Sequence, residues 1–489
     1  MDVIAENVSV VLQRGKVLKA IKLERGKKIV FEKLHFKPDN AIGQSYNSWF
    51  QVSSNQLEKV EDVITRGKPE QAASGDNGSA EKPNSAQDNR LLEDTHGKSQ
   101  SLKREEIVGM KSSGAKGEEI IEEIVKNSAT FSSKTIYSQK KYLQKKKLKH
   151  STNIRILKPS ARLICKMYES REPAKICHMR IDTVSQIINL ANIHSGSKAI
   201  VIETCSGLIL SLVMQRLAGK GCVVNLHTGE TPTNFHAITH MNYDDSYWAT
   251  LNSLPLNKVG PLLAGKDFKD VIGDIDQLEK EKTASYSIKE TEKDGKMSSS
   301  IEGSKTSDED PNKMNGSEDT VVILPDNDTE STGKQQKREL TEIEKCQIRL
   351  ERKYKRLKHQ LSAWNALKTK SMDAAILACK FHPTPVLLTI LEFLAPSRPF
   401  VVHCENREPL MELFVQLSVS SKAVNLKITD TFMRHFQVLP EQTHPHVMMS
   451  STGGYLLTGT TVKTSNSKKQ SIPLTEKTDS VPAKKAKIT

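Results

Sequence analysis

The sequence predicts two fold classes in one chain, a small all-β domain followed by an α/β domain. Short apolar runs separated by basic glycine turns indicate the first. For the second, the apolar run 199–202, which contains three β-branched residues, leads through a short turn into the largely apolar run 208–214, which is typical of a buried strand followed by a helix. Stretches poor in apolar residues lie between such regions, so we expect linkers there.

Residues 1–65 are predicted to form a small β-barrel, with a curled sheet as the alternative. The runs 8–12, 17–23 and 29–34 have the length and composition of strands. Arg14-Gly15-Lys16 and Arg25-Gly26-Lys27 lie between them, as glycine turns do in hairpins.

Residues 66–100 are predicted to be a disordered linker, and residues 101–154 a helical, lysine-rich connector. In the connector, six lysines and one tyrosine fall within ten residues, a composition suited to the phosphates of RNA. A solvated linker and a nuclear import signal are the alternatives. The candidate RNA contacts are Lys140, Lys141, Lys145, Lys146, Lys147 and Lys149, with Tyr142 among them.

Residues 155–265 are predicted to be the first half of a Rossmann-like domain, with residues 198–210 as its first strand-to-helix corner. Glycines in such a corner let the backbone approach a nucleotide, but this turn contains only Gly207. The next strand ends at Leu226 with no acid before Glu230, whereas a cofactor site commonly keeps an acid there for ribose. Both features argue against cofactor binding.

The rest of the chain divides into a disordered insertion (266–336), a charged helix (337–372), the second half of the Rossmann-like domain (373–463) and a disordered basic tail (464–489). In the helix, apolar residues recur at coiled-coil spacing from Leu350 to Trp364. Basic residues cover its other faces, so we expect a surface helix on its own domain, with an RNA-facing or partner-facing helix as the alternative. These basic residues are Arg349, Arg352, Lys353, Lys355, Arg356 and Lys358.

The chain has 489 residues and a formal net charge of +14, which favours a polyanionic partner such as nucleic acid. Its seven cysteines include no CxxC pair, so we expect reduced thiols and neither a zinc site nor a disulfide framework. We expect no membrane span, because no apolar run approaches the ~20 residues needed. The first seven residues lack the apolar core of a secretory signal.

The strand-to-helix corner resembles that of class I methyltransferases, whose turn reads acidic-x-Gly-x-Gly-x-Gly. On that pattern Glu203 is the acid and Gly207 is the second glycine, while Cys205 and Ile209 replace the other two. Side chains at these two positions are expected to intrude where the backbone would meet S-adenosylmethionine. The resemblance thus implies a degenerate cofactor site and no catalytic residue in this chain.

The chain as a whole resembles the non-catalytic subunits of eukaryotic tRNA (adenine-58-N1)-methyltransferases. Seven groups of residues, spread over nearly every folded part, carry this resemblance together. They are 42–46 (IGQSY), 171–173 with 178–180 (REP, HMR), 203–207 (ETCSG), 255–259 (PLNKV), 381–385 (FHPTP), 395–402 (APSRPFVV) and 453–457 (GGYLL).

The resemblance implies an N-terminal β-barrel joined to a Rossmann-like methyltransferase domain. It also implies a homologous catalytic subunit that carries S-adenosylmethionine, in a heterotetramer of two plus two subunits. The complex is expected to methylate N1 of adenine 58 in the T-loop of tRNA, in the nucleus, with this chain gripping tRNA. Two alternatives stay open: an active but divergent S-adenosylmethionine-dependent RNA methyltransferase, and a general RNA-binding protein without an enzyme partner.

In catalytic relatives, an acidic residue ends the fourth strand before a Pro-x-Pro turn. Here the five residues before Pro383, residues 378–382, include no acid. Lys380 and His382 suit phosphate contact better than base activation, so both are candidate tRNA contacts.

Overall fold

The computed structural model describes residues 2–60, 100–112, 117–132, 136–150, 152–232, 235–282, 342–438, 443–449 and 452–463. Residues 66–99 of the predicted linker, residues 283–336 of the predicted insertion and the whole predicted tail lie outside these described residues.

Sixteen strands and fourteen helices are described, apart from short 3-10 turns. The strands are β1 (Ser9–Arg14), β2 (Val17–Lys22), β3 (Ile29–Phe31), β4 (Leu34–Phe36), β5 (Trp49–Ser53), β6 (Gln56–Val60), β7 (Asn153–Leu157), β8 (Lys198–Glu203), β9 (Cys222–His227), β10 (Leu251–Pro255), β11 (Ala374–Ala378), β12 (Pro399–Cys404), β13 (Ala423–Asp430), β14 (Phe436–Gln437), β15 (His444–Pro445) and β16 (Tyr455–Thr461). The helices are α1 (Arg104–Ser112), α2 (Gly117–Lys126), α3 (Ile136–His150), α4 (Ala161–Arg171), α5 (Ile181–Leu190), α6 (Leu208–Leu217), α7 (His236–Thr239), α8 (Asp245–Ala249), α9 (Val259–Leu263), α10 (Phe268–Val271), α11 (275–282), α12 (Glu342–Lys368), α13 (Pro383–Ile390) and α14 (Glu408–Ser420).

The N-terminal strands form an antiparallel sheet in the order β2-β1-β7-β5-β6, with β3 and β4 as a separate hairpin. The described strands do not close into the predicted barrel, because β2 and β6 lie at opposite edges and β3 and β4 pair only with each other. The central strand, β7, comes from the far end of the lysine-rich connector. Its Ile154 and Ile156 are buried with Val10, Leu12 and Phe50, so the N-terminal domain extends beyond residue 65.

The second sheet has the order β10-β9-β8-β11-β12-β16-β13. The neighbours from β10 to β12 are parallel, and β16 runs antiparallel to both β12 and β13. Parallel strands buried on both faces require continuous apolar runs, and β11 is entirely buried as its sequence predicts. One apolar core lies on each face of the sheet, one with α4, α5 and α6 and the other with α12, α13 and α14.

The N-terminal sheet is fixed to the α/β domain by reciprocal hydrogen bonds. The Ser9 amide donates to Asn242 Oδ1 at 2.8 Å, and Asn242 Nδ2 donates to the Ser9 carbonyl at 2.8 Å. Val11 and Leu18 belong to the same core as α4 and α6. The two domains therefore share packed apolar surface.

The predicted charged helix is present as α12, and its carboxyl half packs on the α/β domain through Trp364 and Leu367. The ring of Phe268 meets Trp364 edge-on, with centroids 5.8 Å apart. Residues 268–271 and 275–282 are helical although they fall in the segment predicted to be disordered. Phe268 and Leu278 explain this difference, because both are buried.

No helix within the described part of the chain is both long and apolar enough to cross a bilayer.

Candidate functional site

The strand-to-helix corner lies at the carboxyl end of β8, the third strand across the seven-stranded sheet. Ser206 and Gly207 both have left-handed backbone, with φ values of 58° and 80°, and α6 begins directly after them. Glycine is the residue that adopts this conformation most easily, so Gly207 fits its position. The carboxyl edge of such a sheet is where open α/β proteins bind ligands.

Glu203 closes the amino end of α6. The Ile209 amide donates to one carboxylate oxygen at 3.0 Å, and the Leu210 amide donates to the other at 3.1 Å. Burial raises the pKa of Glu203 to about 7, although these two hydrogen bonds act to lower it. Free amides at a helix amino end are natural donors to an anionic ligand. Here an internal carboxyl group takes two of them.

Cys205 and Ile209 are fully buried in the core beneath the turn. Cys205 Sγ lies 3.5 Å from Cys177 Sγ and 3.3 Å from the Ala378 carbonyl oxygen. The hydrogen bond between the two thiols lowers the pKa of Cys177 and raises that of Cys205. Both replacements of the family glycines are thus packing residues, and removing them would leave cavities.

Thr204 joins the corner to the next strand. Its amide donates to the Ala378 carbonyl at 3.0 Å, and its hydroxyl accepts from the Lys380 amide at 3.1 Å. This bond fixes the backbone of Lys380 beside the turn, with its side chain exposed. His382 is exposed just before α13, with Nε2 at 3.4 Å from a carboxylate oxygen of Glu412. The sequence did not single out Thr204, since isolated threonines are common in turns.

His227 occupies the end of β9, where a cofactor site commonly keeps an acid. It is buried, and burial lowers its pKa. Its Nδ1 lies 3.4 Å from the Thr228 carbonyl oxygen, whereas its Nε2 has no hydrogen-bond partner among the described residues. Glu230, the first acid after the strand, is exposed.

The six candidate lysines of the connector all lie on α3 and do not share one face. Lys141, Lys145 and Lys149 recur every four residues and so form one stripe, which we call the α3 lysine stripe. Its members are exposed, as are Lys140 and Lys147. Lys146 is half-buried, with Nζ 5.1 Å from the ring centroid of Tyr142. Arg14 donates to the Lys149 carbonyl at 3.4 Å, which holds the end of α3 next to β1.

A buried polar cluster that the sequence did not predict joins α5 to the last strands. Arg180, 1% exposed, donates to Asp182 at 2.9 Å and to the Thr431 carbonyl at 2.8 Å. Thr183 donates to the Gly453 carbonyl at 3.2 Å, and His403 Nε2 donates to the same oxygen at 3.1 Å. Arg180 and Gly453 belong to two of the groups that carry the family resemblance, 178–180 and 453–457. In the structure both are part of this buried cluster, which holds α5 against the last strands.

This cluster predicts a pH dependence of stability. Burial lowers the pKa of His403 from 6.5 to about 4. As pH falls from about 6.5 to about 4, His403 binds a proton in the unfolded chain but not in the folded chain. This difference should lower the free energy of unfolding by up to about 3 kcal/mol across that range. Denaturant midpoints of His403→Gln should accordingly fall less steeply with acid than those of the wild type.

The contribution of Glu203 to stability has the opposite sign, because its raised pKa stabilises the fold as pH falls from about 7 towards 4.5. Both the wild type and His403→Gln contain Glu203, so its contribution cancels when their pH profiles are subtracted. His194→Gln, at an exposed histidine, is the matched control. Parallel pH profiles for the wild type and His403→Gln would contradict the prediction.

These features together define the chain as a Rossmann-like α/β protein. Numbered in chain order, the strands of the large sheet read 3-2-1-4-5-7-6, a Rossmann-like arrangement, and a carboxyl group closes the corner after the first of these strands. The chain belongs to the Gcd10p family, whose model matches residues 3–315.

Two relatives extend this match over nearly the whole chain. The tRNA (adenine(58)-N(1))-methyltransferase non-catalytic subunit TRM6 of Mus musculus is 40% identical over 458 residues, which cover 93% of this chain and 87% of the relative. The corresponding subunit of Dictyostelium discoideum is 29% identical over 470 residues, covering 94% and 80%. The family resemblance drawn from the sequence motifs is confirmed.

Among solved structures, an S-adenosylmethionine-dependent O-methyltransferase from Thermotoga maritima matches with a TM-score of 0.44 and 10% identity, covering 95% of this chain and 97% of that one. The tRNA (m1A58) methyltransferase TrmI from Aquifex aeolicus matches with a TM-score of 0.41 and 10% identity, covering 95% and 100%.

Proposed function

We propose that this chain is the non-catalytic, tRNA-binding subunit of a tRNA (adenine-58-N1)-methyltransferase complex in the nucleus. The observation that carries the proposal is the 40% identity, over 93% of the chain, to a protein named as such a subunit. The closed corner at Glu203 agrees with it.

The methyl donor, S-adenosylmethionine, is bound by a homologous catalytic subunit and not by this chain. Three features of the corner support this division. Glu203 takes two amides of α6, the buried Cys205 and Ile209 replace glycines, and β9 ends in a histidine rather than an acid. Lys380 and His382 stand where catalytic relatives have their acid-Pro-x-Pro segment, so this chain contributes no base to the reaction.

The catalytic subunit docks on the last part of the α/β domain, in an assembly of two subunits of each kind. Of the sixteen large apolar side chains exposed among the described residues, ten fall within residues 411–449. β13 is an edge strand, open to pairing with another chain. An exposed apolar region beside an open edge suits a permanent protein partner. The ten are Met411, Val415, Val419, Val424, Phe432, Phe436, Val438, Val447, Met448 and Met449.

The substrate, tRNA, meets the lysines of α3 together with Lys380 and His382. Folded RNA is recognised largely through its shape and phosphates, which requires a broad basic surface. Extruding a base from a folded loop costs a few kcal/mol, and phosphate contacts made by a second subunit can offset that cost. The net charge of +14 supports this role.

Co-expression with the homologous catalytic subunit tests the proposal. We expect the two chains to co-purify, the complex to methylate tRNA at adenine 58, and this chain alone to bind no S-adenosylmethionine at micromolar concentration. The complex serves as the positive control for donor binding in the same titration. Micromolar donor binding by the isolated chain would favour the divergent-enzyme alternative, and a chain that captures no methyltransferase would favour the general RNA-binding alternative.

A further inference from the structure

α12 carries three arginines that form no side-chain hydrogen bond or ion pair with the described residues. Arg349, Arg352 and Arg356 follow one another at spacings of three and four residues, which places them on one arc of the helix. We call them the α12 arginine arc. Arg349 and Arg352 are exposed and Arg356 is half-exposed. None of the three forms an ion pair with a described residue.

On the opposite side of the same helix, the polar side chains interact with neighbouring residues of the same domain. Glu351 lies 3.7 Å from Lys282 Nζ, and the same Nζ lies 5.0 Å from the ring centroid of Tyr354. The Tyr354 hydroxyl lies 3.4 Å from a carboxylate oxygen of Glu279. The domain thus satisfies one side of α12 internally and leaves the arginine arc available.

The arc is held on a rigid support. Further along the same helix, Ala363, Trp364 and Leu367 are buried in the core that also contains Leu254 of β10. Because the helix is anchored at one end, the backbone that carries the arginines is already ordered before a ligand binds. Little conformational entropy then opposes binding by these arginines.

We propose that the α12 arginine arc binds the phosphate backbone of RNA, as a contact separate from the α3 lysine stripe. Arginine presents a planar fork that bonds a phosphate through two parallel hydrogen bonds, which suits it to this ligand. The inference rests on the proposed function, which supplies tRNA as the RNA.

The topology brings both basic elements towards the same edge strand, β10. α12 packs on β10 from one face of the sheet. The N-terminal sheet, which holds the end of α3, bonds through Ser9 to Asn242 and Thr239, in the segment that leads into β10. An RNA molecule that contacts both elements would pass around this edge.

The test measures tRNA binding by the complex of this chain with its catalytic subunit, as a function of salt. We expect Arg349→Ala, Arg352→Ala and Arg356→Ala together to lower the salt slope of log K by roughly 2 to 3, at 0.7–0.9 per lost phosphate contact. Alanine preserves helix propensity, and circular dichroism and the melting temperature verify the fold. The three Arg→Lys changes should keep the slope and weaken binding, because the charge remains without the fork.

The matched control removes three other exposed charges, two on the carboxyl half of α12 and one in the turn that follows it. Lys358→Ala, Lys368→Ala and Lys370→Ala together should leave the slope unchanged. An unchanged slope for the arginine variant, in a complex that still binds tRNA, would overturn this inference alone. A wild-type complex that binds no tRNA would overturn the proposed function as well. If polyglutamate binds the arc as tightly as tRNA does, the surface takes an acidic protein and the inference is wrong.

Discussion

A complex in which Lys141, Lys145 and Lys149 are alanine should bind tRNA with a salt slope lower by roughly 2 to 3. These side chains form one exposed stripe on α3, whose end is held against the N-terminal sheet. Because a phosphate backbone follows a path, lysines aligned along one face contact it together. Filter binding or fluorescence anisotropy across a range of salt concentrations measures the slope.

The lysines adjacent in sequence should behave differently. Lys145→Ala, Lys146→Ala and Lys147→Ala remove the same charge, but Lys146 is half-buried over Tyr142 and Lys147 lies off the stripe. We therefore expect a smaller fall in slope for that set.

Alanine at Lys198, Lys220 and Lys370 is a control of equal charge. These exposed lysines lie at the amino ends of β8, β9 and β11, on the opposite edge of the sheet from the corner. Equal slopes for the stripe variant and this control would exclude α3 from RNA binding.

The second large effect is expected at Gly454. A Cβ there would lie 2.1 Å from His403 Nε2 and 3.0 Å from the Cys404 carbonyl oxygen, at a φ of +90°. His403 is buried and hydrogen-bonded to the Gly453 carbonyl, so its ring has no room to move away from the added Cβ. Overpacking and backbone strain each cost about 1–3 kcal/mol, so Gly454→Ala should lose about 4 kcal/mol of stability in denaturant unfolding.

Gly229→Ala separates the two causes. Gly229 has a similar φ of +84°, but nothing lies within 4 Å of its added Cβ. Only the backbone cost of about 1–2 kcal/mol should remain there. Equal losses for the two variants would mean that the contact with His403 does not matter. Because Gly454 adjoins β16, which pairs with β13, its variant should also capture less catalytic subunit.

The central corner illustrates how far the sequence can be interpreted. The apolar run 199–202, the acid and the lone glycine predicted a strand, a turn and a helix, and β8 and α6 begin and end close to those limits. The sequence did not reveal that Glu203 bonds the Ile209 and Leu210 amides, because a motif does not give the direction of a carboxylate.

The N-terminal domain illustrates the limit. The first glycine turn correctly predicted the hairpin of β1 and β2, since hairpin pairing depends on neighbouring residues. The prediction was wrong for the second, Arg25-Gly26-Lys27, because β2 and β3 do not pair and the predicted run 29–34 forms the separate β3–β4 hairpin. The prediction that these strands close into a barrel was wrong for the described residues. β7 enters the middle of that sheet from more than ninety residues beyond β6, and nothing local specifies such a pairing.

The sequence alone determined the family, the apolar strands and the missing glycines, since these depend on residue identity and short-range periodicity. Tertiary structure decided the open N-terminal sheet, the cluster around Arg180 and His403, and which lysines of α3 share a face. Those features depend on contacts between residues far apart in the chain. Their energies depend on the distances and burial that only the folded arrangement sets.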